Sequence, residues 1–122
     1  MKIFSSFFLR QKVGQGTVST ATTVAITGCG FKPKLVLLSF GVVAGAVSGA
    51  SNGIYDGINS FCCFYNPIAP NDSNHFTSLG RAVKDGSNYI TCVGTSLDVD
   101  GFTFTTTLLG TCSCDFWYIA LG

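Results

Sequence analysis

The sequence predicts an all-β protein, a single-domain antiparallel β-sandwich or jelly roll of roughly eight short strands. Three observations carry that expectation. Every acidic residue is Asp and none is Glu, while 15 residues are Gly, so the chain lacks a good helix former and is rich in a poor one. Short apolar runs recur between clusters of Gly, Pro, Asn and Asp. The clearest run, Asp98-Val-Asp-Gly-Phe-Thr-Phe-Thr-Thr-Thr107, sets Phe102 and Phe104 against Thr103, Thr105 and Thr107 with the period of a half-buried strand.

Taken in order, residues 1–16 read as an N-terminal arm or first edge segment, and residues 17–122 as the sandwich. Met1 to Leu9 is apolar enough to resemble a signal peptide, but Arg10 interrupts it and no small-residue cleavage site follows, so a structural arm is expected. Gly14 and Gly16 end this polar stretch as flexible positions. Thr17 to Thr27 is rich in Thr, Val and Ile and predicts one strand. Gly28-Cys-Gly30 predicts a turn, and Pro33 sits just ahead of a strand over Leu35 to Phe40. The uncharged run Leu35 to Ala50 is too short for a membrane span of about 20 residues, and Gly41, Gly45 and Gly49 dilute it. A strand followed by a Gly/Ala/Ser loop is expected there instead.

Gly53 to Gly57 predicts a short strand running into a turn, and Ser60-Phe-Cys-Cys-Phe-Tyr65 a core strand. Asn66 to Asn74, with Pro67 and Pro70, predicts a surface loop. His75 to Val83 is a weaker strand, Asp85-Gly86 a turn, and Asn88 to Val93 a clear strand. Asp100-Gly101 predicts a tight turn in which Gly supplies a positive φ. Phe116 to Leu121 closes the domain, with no regulatory tail expected after it.

The composition also excludes function classes. At 122 residues the chain can bury a core unaided, yet only 11% of it is charged against 47% hydrophobic. Such a charge-poor surface predicts cover by neighbouring subunits and therefore a homo-oligomer. A net charge of +1 offers no field for nucleic acid.

Chemistry is sparse. His75 has no acidic residue fixed beside it by sequence and predicts a solvated loop histidine rather than a base. Asp98 and Asp100 would share one strand face, but their turn role explains them without glycoside cleavage or calcium binding. The glycine-rich stretch Gly41 to Gly57 lacks the Gly-Lys-Ser/Thr ending of a phosphate cradle. Tyr55, Tyr65, Tyr89, Trp117 and Tyr118 lie mostly inside apolar runs, where core packing precedes sugar stacking. Cys29, Cys62, Cys63, Cys92, Cys112 and Cys114 show no C-x-x-C spacing and read as small buried hydrophobes of a reducing cytoplasm, with a disulfide or a metal as lesser alternatives. No catalytic, cofactor or metal residue is therefore assigned.

Two segments carry a resemblance. Thr27-Gly-Cys-Gly-Phe-Lys-Pro-Lys-Leu-Val-Leu-Leu38 resembles the T-G-x-G-F-x-P-K-x-V-x-x opening of small β-sandwich proteins and domains from tailed bacteriophage virions. Ser96-Leu-Asp-Val-Asp-Gly-Phe-Thr-Phe104 and Trp117-Tyr-Ile-Ala-Leu-Gly122 resemble their S-F-D-x-D-G-F-T-L hairpin and Y-L-A-L-G ending, and Gly53 to Ser60 is similar to their glycine-punctuated middle strand. The resemblance implies a non-enzymatic virion protein assembled in the host cytoplasm, with the major capsid protein or tail proteins as partners. A capsid decoration or cement subunit is the first expectation. A tail or fibre component that binds a receptor or glycan is the alternative.

Overall fold

Along the last strand Cys114, Phe116, Tyr118 and Ala120 are buried while Asp115, Trp117 and Ile119 between them face outward. The same alternation, a consequence of successive side chains leaving a strand on opposite sides, recurs through the chain. The computed structural model describes residues 10–42, 49–66 and 74–122, His75 by its backbone alone. Among these described residues the strands are β1 (Gln11–Val18), β2 (Thr23–Ile26), β3 (Leu35–Val42), β4 (Ala50–Tyr55), β5 (Ser60–Tyr65), β6 (Asn74–Phe76), β7 (Gly80–Asp85), β8 (Asn88–Asp98), β9 (Gly101–Leu109) and β10 (Cys114–Leu121). They form a β-sandwich of two antiparallel sheets, one ordered β1-β10-β3-β4-β5-β6 and the other β2-β9-β8-β7.

Aromatic side chains join the sheets. Phe104 of the smaller sheet meets Phe116 of the larger edge-to-face at 5.3 Å, and Phe102 meets Tyr118 at 5.2 Å. Val36, Leu38, Phe40, Tyr55, Ile90 and Leu79 complete the core between them. Arg81 of β7 lays its guanidinium over Phe64, Phe76 and Tyr89 at 4.8–5.2 Å, which ties the edge of one sheet to the other through cation–π contact.

The structure corrects several expected boundaries. Of the segment 1–16, residues 1–9 lie outside the described residues, and Gln11 to Gly16 belong to β1, paired residue for residue with β10. Gly14 and Gly16 are not flexible: they lie opposite Tyr118 and Phe116, whose rings occupy the space a Cβ would need. Thr17 to Thr27 is two strands in different sheets. The chain crosses between them at Thr20 to Thr22, where the buried Thr106 hydroxyl accepts from Thr22 N at 3.0 Å and donates to Thr20 O at 2.7 Å. His75 to Val83 also divides, with Asn74–Phe76 pairing β5 and Gly80–Asp85 pairing β8. In the last hairpin Asp98 pairs with Gly101, so Val99 and Asp100 are the turn residues. Gly101 has no positive φ; it is glycine because a Cβ there would strike the carbonyl oxygen of Ile26.

Of Leu35 to Ala50, Leu35–Val42 is β3, Ala50 opens β4, and residues 43–48 lie outside the described residues. Among the described residues no helix is long and apolar enough to cross a membrane.

Candidate interaction face

The residues singled out for chemistry are mostly structural. Asp100 accepts from the backbone amides of Gly28 at 2.9 Å and Gly30 at 2.6 Å, two glycines held at φ of 80° and 79°, and its own carbonyl accepts from Cys29 N. These bonds to the charged form hold its carboxyl below the usual carboxylate range. Asp98 does not share that cluster. It accepts from the hydroxyls of Thr103 and Ser96 at 2.6 and 2.7 Å, which lower its pKa as well. Asp100 thus clamps the last hairpin to the Gly28–Gly30 turn, while Asp98 braces the hairpin from within. Among the described residues no group of three His, Cys, Asp or Glu could hold a metal ion.

His75 lies on β6 opposite Cys63, in a strand rather than a loop. The expected loop Asn66 to Asn74 falls largely on residues 67–73, outside the described residues; Asn66 is buried and Asn74 opens β6. Cys62, Cys92, Cys112 and Cys114 are buried and Cys29 is half-buried, but Cys63 is exposed. Cys112 and Cys114 bring their sulfurs to 3.6 Å as free thiols. Tyr55 and Tyr118 are core residues, whereas Tyr65 and Trp117 are 62% and 57% exposed.

Those two exposed aromatics belong to a continuous surface. On the outer face of the six-stranded sheet, the strand registers align Val13, Ile119, Leu37, Ile54 and Phe61 in one row across β1, β10, β3, β4 and β5. All five are exposed, Val13 and Phe61 by more than half. The adjacent row is Gln15, Trp117, Ser39, Asn52 and Cys63. Around Trp117, Ile119 and Ile54 the face dips into a concavity of about 520 Å³, lined also by Ser39, Asn52 and Gly53. The only charged residue that these registers place on the face is Asp115, at one end, where it accepts from Thr17.

The opposite exterior is of another kind. On the outer side of the four-stranded sheet Thr23, Thr95 and Thr105 hydrogen-bond side chain to side chain, as do Thr91 and Thr107 at 2.6 Å. One outer face thus carries a threonine hydroxyl network interrupted by Val93 and Leu109, and the other a continuous apolar row beside a mixed one. A scan against protein-family models found no match, and a search of the curated proteins found none either. The face is the strongest feature of the described surface. Sequence reading missed its residues individually. Their signal was the unbroken apolar runs Leu35 to Leu38 and Phe61 to Tyr65, a pattern that ordinarily belongs to strands buried on both faces but here leaves one side exposed.

Proposed function

We propose that this chain is a non-enzymatic structural subunit of a tailed-bacteriophage virion, a capsid decoration or cement protein that stabilises the head through oligomeric contacts. The observation that carries it is the charge-poor, largely apolar face of the six-stranded sheet, with Val13, Phe61 and Trp117 each more than half exposed. A surface of that kind is stabilised by being covered, and many weak contacts repeated over a shell sum to a large effect. The virion enters through the resemblance of Thr27 to Leu38 and Ser96 to Phe104, two segments that meet in space where Asp100 binds Gly28 and Gly30. Quantitative mass spectrometry of purified virions tests this reading: a copy number comparable to the major capsid protein supports it, and absence from particles overturns it.

A second reading, a tail or fibre component binding a receptor or glycan, has its own observation. At one end of the sandwich Lys32, Lys34, Asp56 and Ser96, with the exposed Ile58, line a concavity of about 520 Å³. Specific binding on a glycan array, lost in Lys34→Ala, favours the tail.

A further inference from the structure

We infer that the outer face of the six-stranded sheet is closed by a second copy of this chain, packed face to face about a two-fold axis that runs along the strands. The inference rests on the structural-subunit reading and names the first partner of that subunit.

The row structure selects the arrangement. A two-fold parallel to the strands, passing between β3 and β4, sets β5 of one copy on β10 of the other and β4 on β3. It keeps each lateral row at its own height, so the apolar row meets the apolar row. Phe61 then faces Ile119 of the other copy, and Ile54 faces Leu37. In the second row Asn52 meets Ser39, a polar pair in the middle of the patch, and Trp117 lies on Cys63. The exposed rings of β5 thereby project toward the concavity over β10, β3 and β4 while the same contact is made in reverse, as a two-fold interface requires. A two-fold across the strands would instead stack β5 on β5 and leave both concavities empty.

Area and charge fit this occupant. Strands about 4.8 Å apart, with the lengths seen here, span a flat area of about 600 Å². A standard interface takes about 800 Å² of corrugated accessible surface from each partner, so one sheet face supplies what a stable pair needs. Aligned packing of two such sheets is the ordinary geometry of a β-sandwich interior, repeated here between chains. The one charge these registers place on the face, Asp115, falls on Tyr65 of the other copy rather than on its own counterpart, so the face meets itself without like-charge repulsion, whereas a strongly charged partner would find little to pair with. The nine residues before Arg10 could reach about 30 Å if extended, but a single strand's width covers less than half the face.

Sedimentation velocity on the full chain tests the proposal, with the emission of its one tryptophan and the reactivity of Cys63 toward an aromatic disulfide reagent followed over the same concentrations. The expected result is one discrete species of twice the 12.8 kDa chain mass, with Trp117 emission shifting to shorter wavelength and Cys63 becoming protected as it forms. Ile54→Lys and Trp117→Lys should each weaken the pair by at least about thirtyfold, the loss of a buried anchor, while Ile58→Lys, off the face, leaves it unchanged. Circular dichroism confirms that the variants fold. A monomer at all concentrations overturns the proposal, as does a dimer that survives both face variants or keeps Cys63 reactive. If deleting residues 1–9 converts a monomer into the dimer, those residues rather than a second copy are the native cover, and the proposal also falls. None of these outcomes touches particle copy number, so the virion reading stands or falls separately.

Discussion

The carboxylate of Asp100 is hydrogen-bonded by the backbone amide of Gly30 at 2.6 Å, across 70 residues of chain. This bond and its neighbour to Gly28 fasten the β8–β9 turn to the loop that leads into β3, and so fix where both sheets end.

Acid should release that clamp. Asp100, Asp98, Asp56 and Asp85 all have pKa values lowered in the fold, chiefly by hydrogen bonds from backbone amides or hydroxyls. A carboxyl whose folded pKa lies below its unfolded value of about 3.9 stabilises fully above that pH and loses the contribution as pH falls through the folded value. Urea midpoints measured from pH 7 to pH 2 should therefore be level down to about pH 4 and then drop. Asp100→Asn should lower the midpoint at pH 7 and flatten the drop.

Alkali acts on a different set. Burial pushes the thiols of Cys92 and Cys114 up, and burial likewise raises Tyr55 and Tyr118. Groups with raised pKa values stabilise fully below their unfolded values and lose that contribution above them, so thiol-linked stability declines as pH passes about 8.5. Replacing Cys92 with Ala should reduce the slope of stability against pH between 8.5 and 10.5, measured by urea titration under reducing conditions.

The glycines of β1 give a packing prediction. A Cβ at position 14 would collide with the Tyr118 ring, which the sheet cannot move without disturbing its edge-to-face contact with Phe102. Gly14→Val should cost about 1–3 kcal/mol, the usual penalty of overpacking. Thermal unfolding of this variant beside Gln15→Val, on the outward side of the same strand, separates packing from strand propensity.

Truncation should show a sharp boundary. Among the described residues, backbone pairing of β1 with β10 is preceded by the exchange of hydrogen bonds between Arg10 and Gly122 at 3.0 Å. Removing residues 1–9 should leave the circular dichroism spectrum and unfolding midpoint nearly unchanged. Removing residues 1–16 deletes most of β1, uncovers one edge of β10, and should lower the midpoint substantially.

Much of this fold was legible because local chemistry and tertiary environment agree. The Phe102–Thr107 alternation, the Leu35 and Ser60 strands and the closing strand all follow from period and composition. The sheet crossings were not legible. Thr17 to Thr27 has uniform β propensity, and only the distant Thr106 hydroxyl marks where the chain turns. Likewise Val13-Gly-Gln-Gly16 looks flexible until Tyr118 and Phe116 are known to lie over it. The interaction face was legible only as an excess of apolar residues over charge. Its row from Val13 to Phe61 depends on four strand registers, which no local pattern encodes.

The central claim, that the chain covers the head of a virion, is tested most directly by electron microscopy of virions labelled with an antibody against it. Dense label distributed over the head is the predicted result. Label confined to the tail or its tip would contradict it and turn attention to the Lys32–Lys34 end of the sandwich.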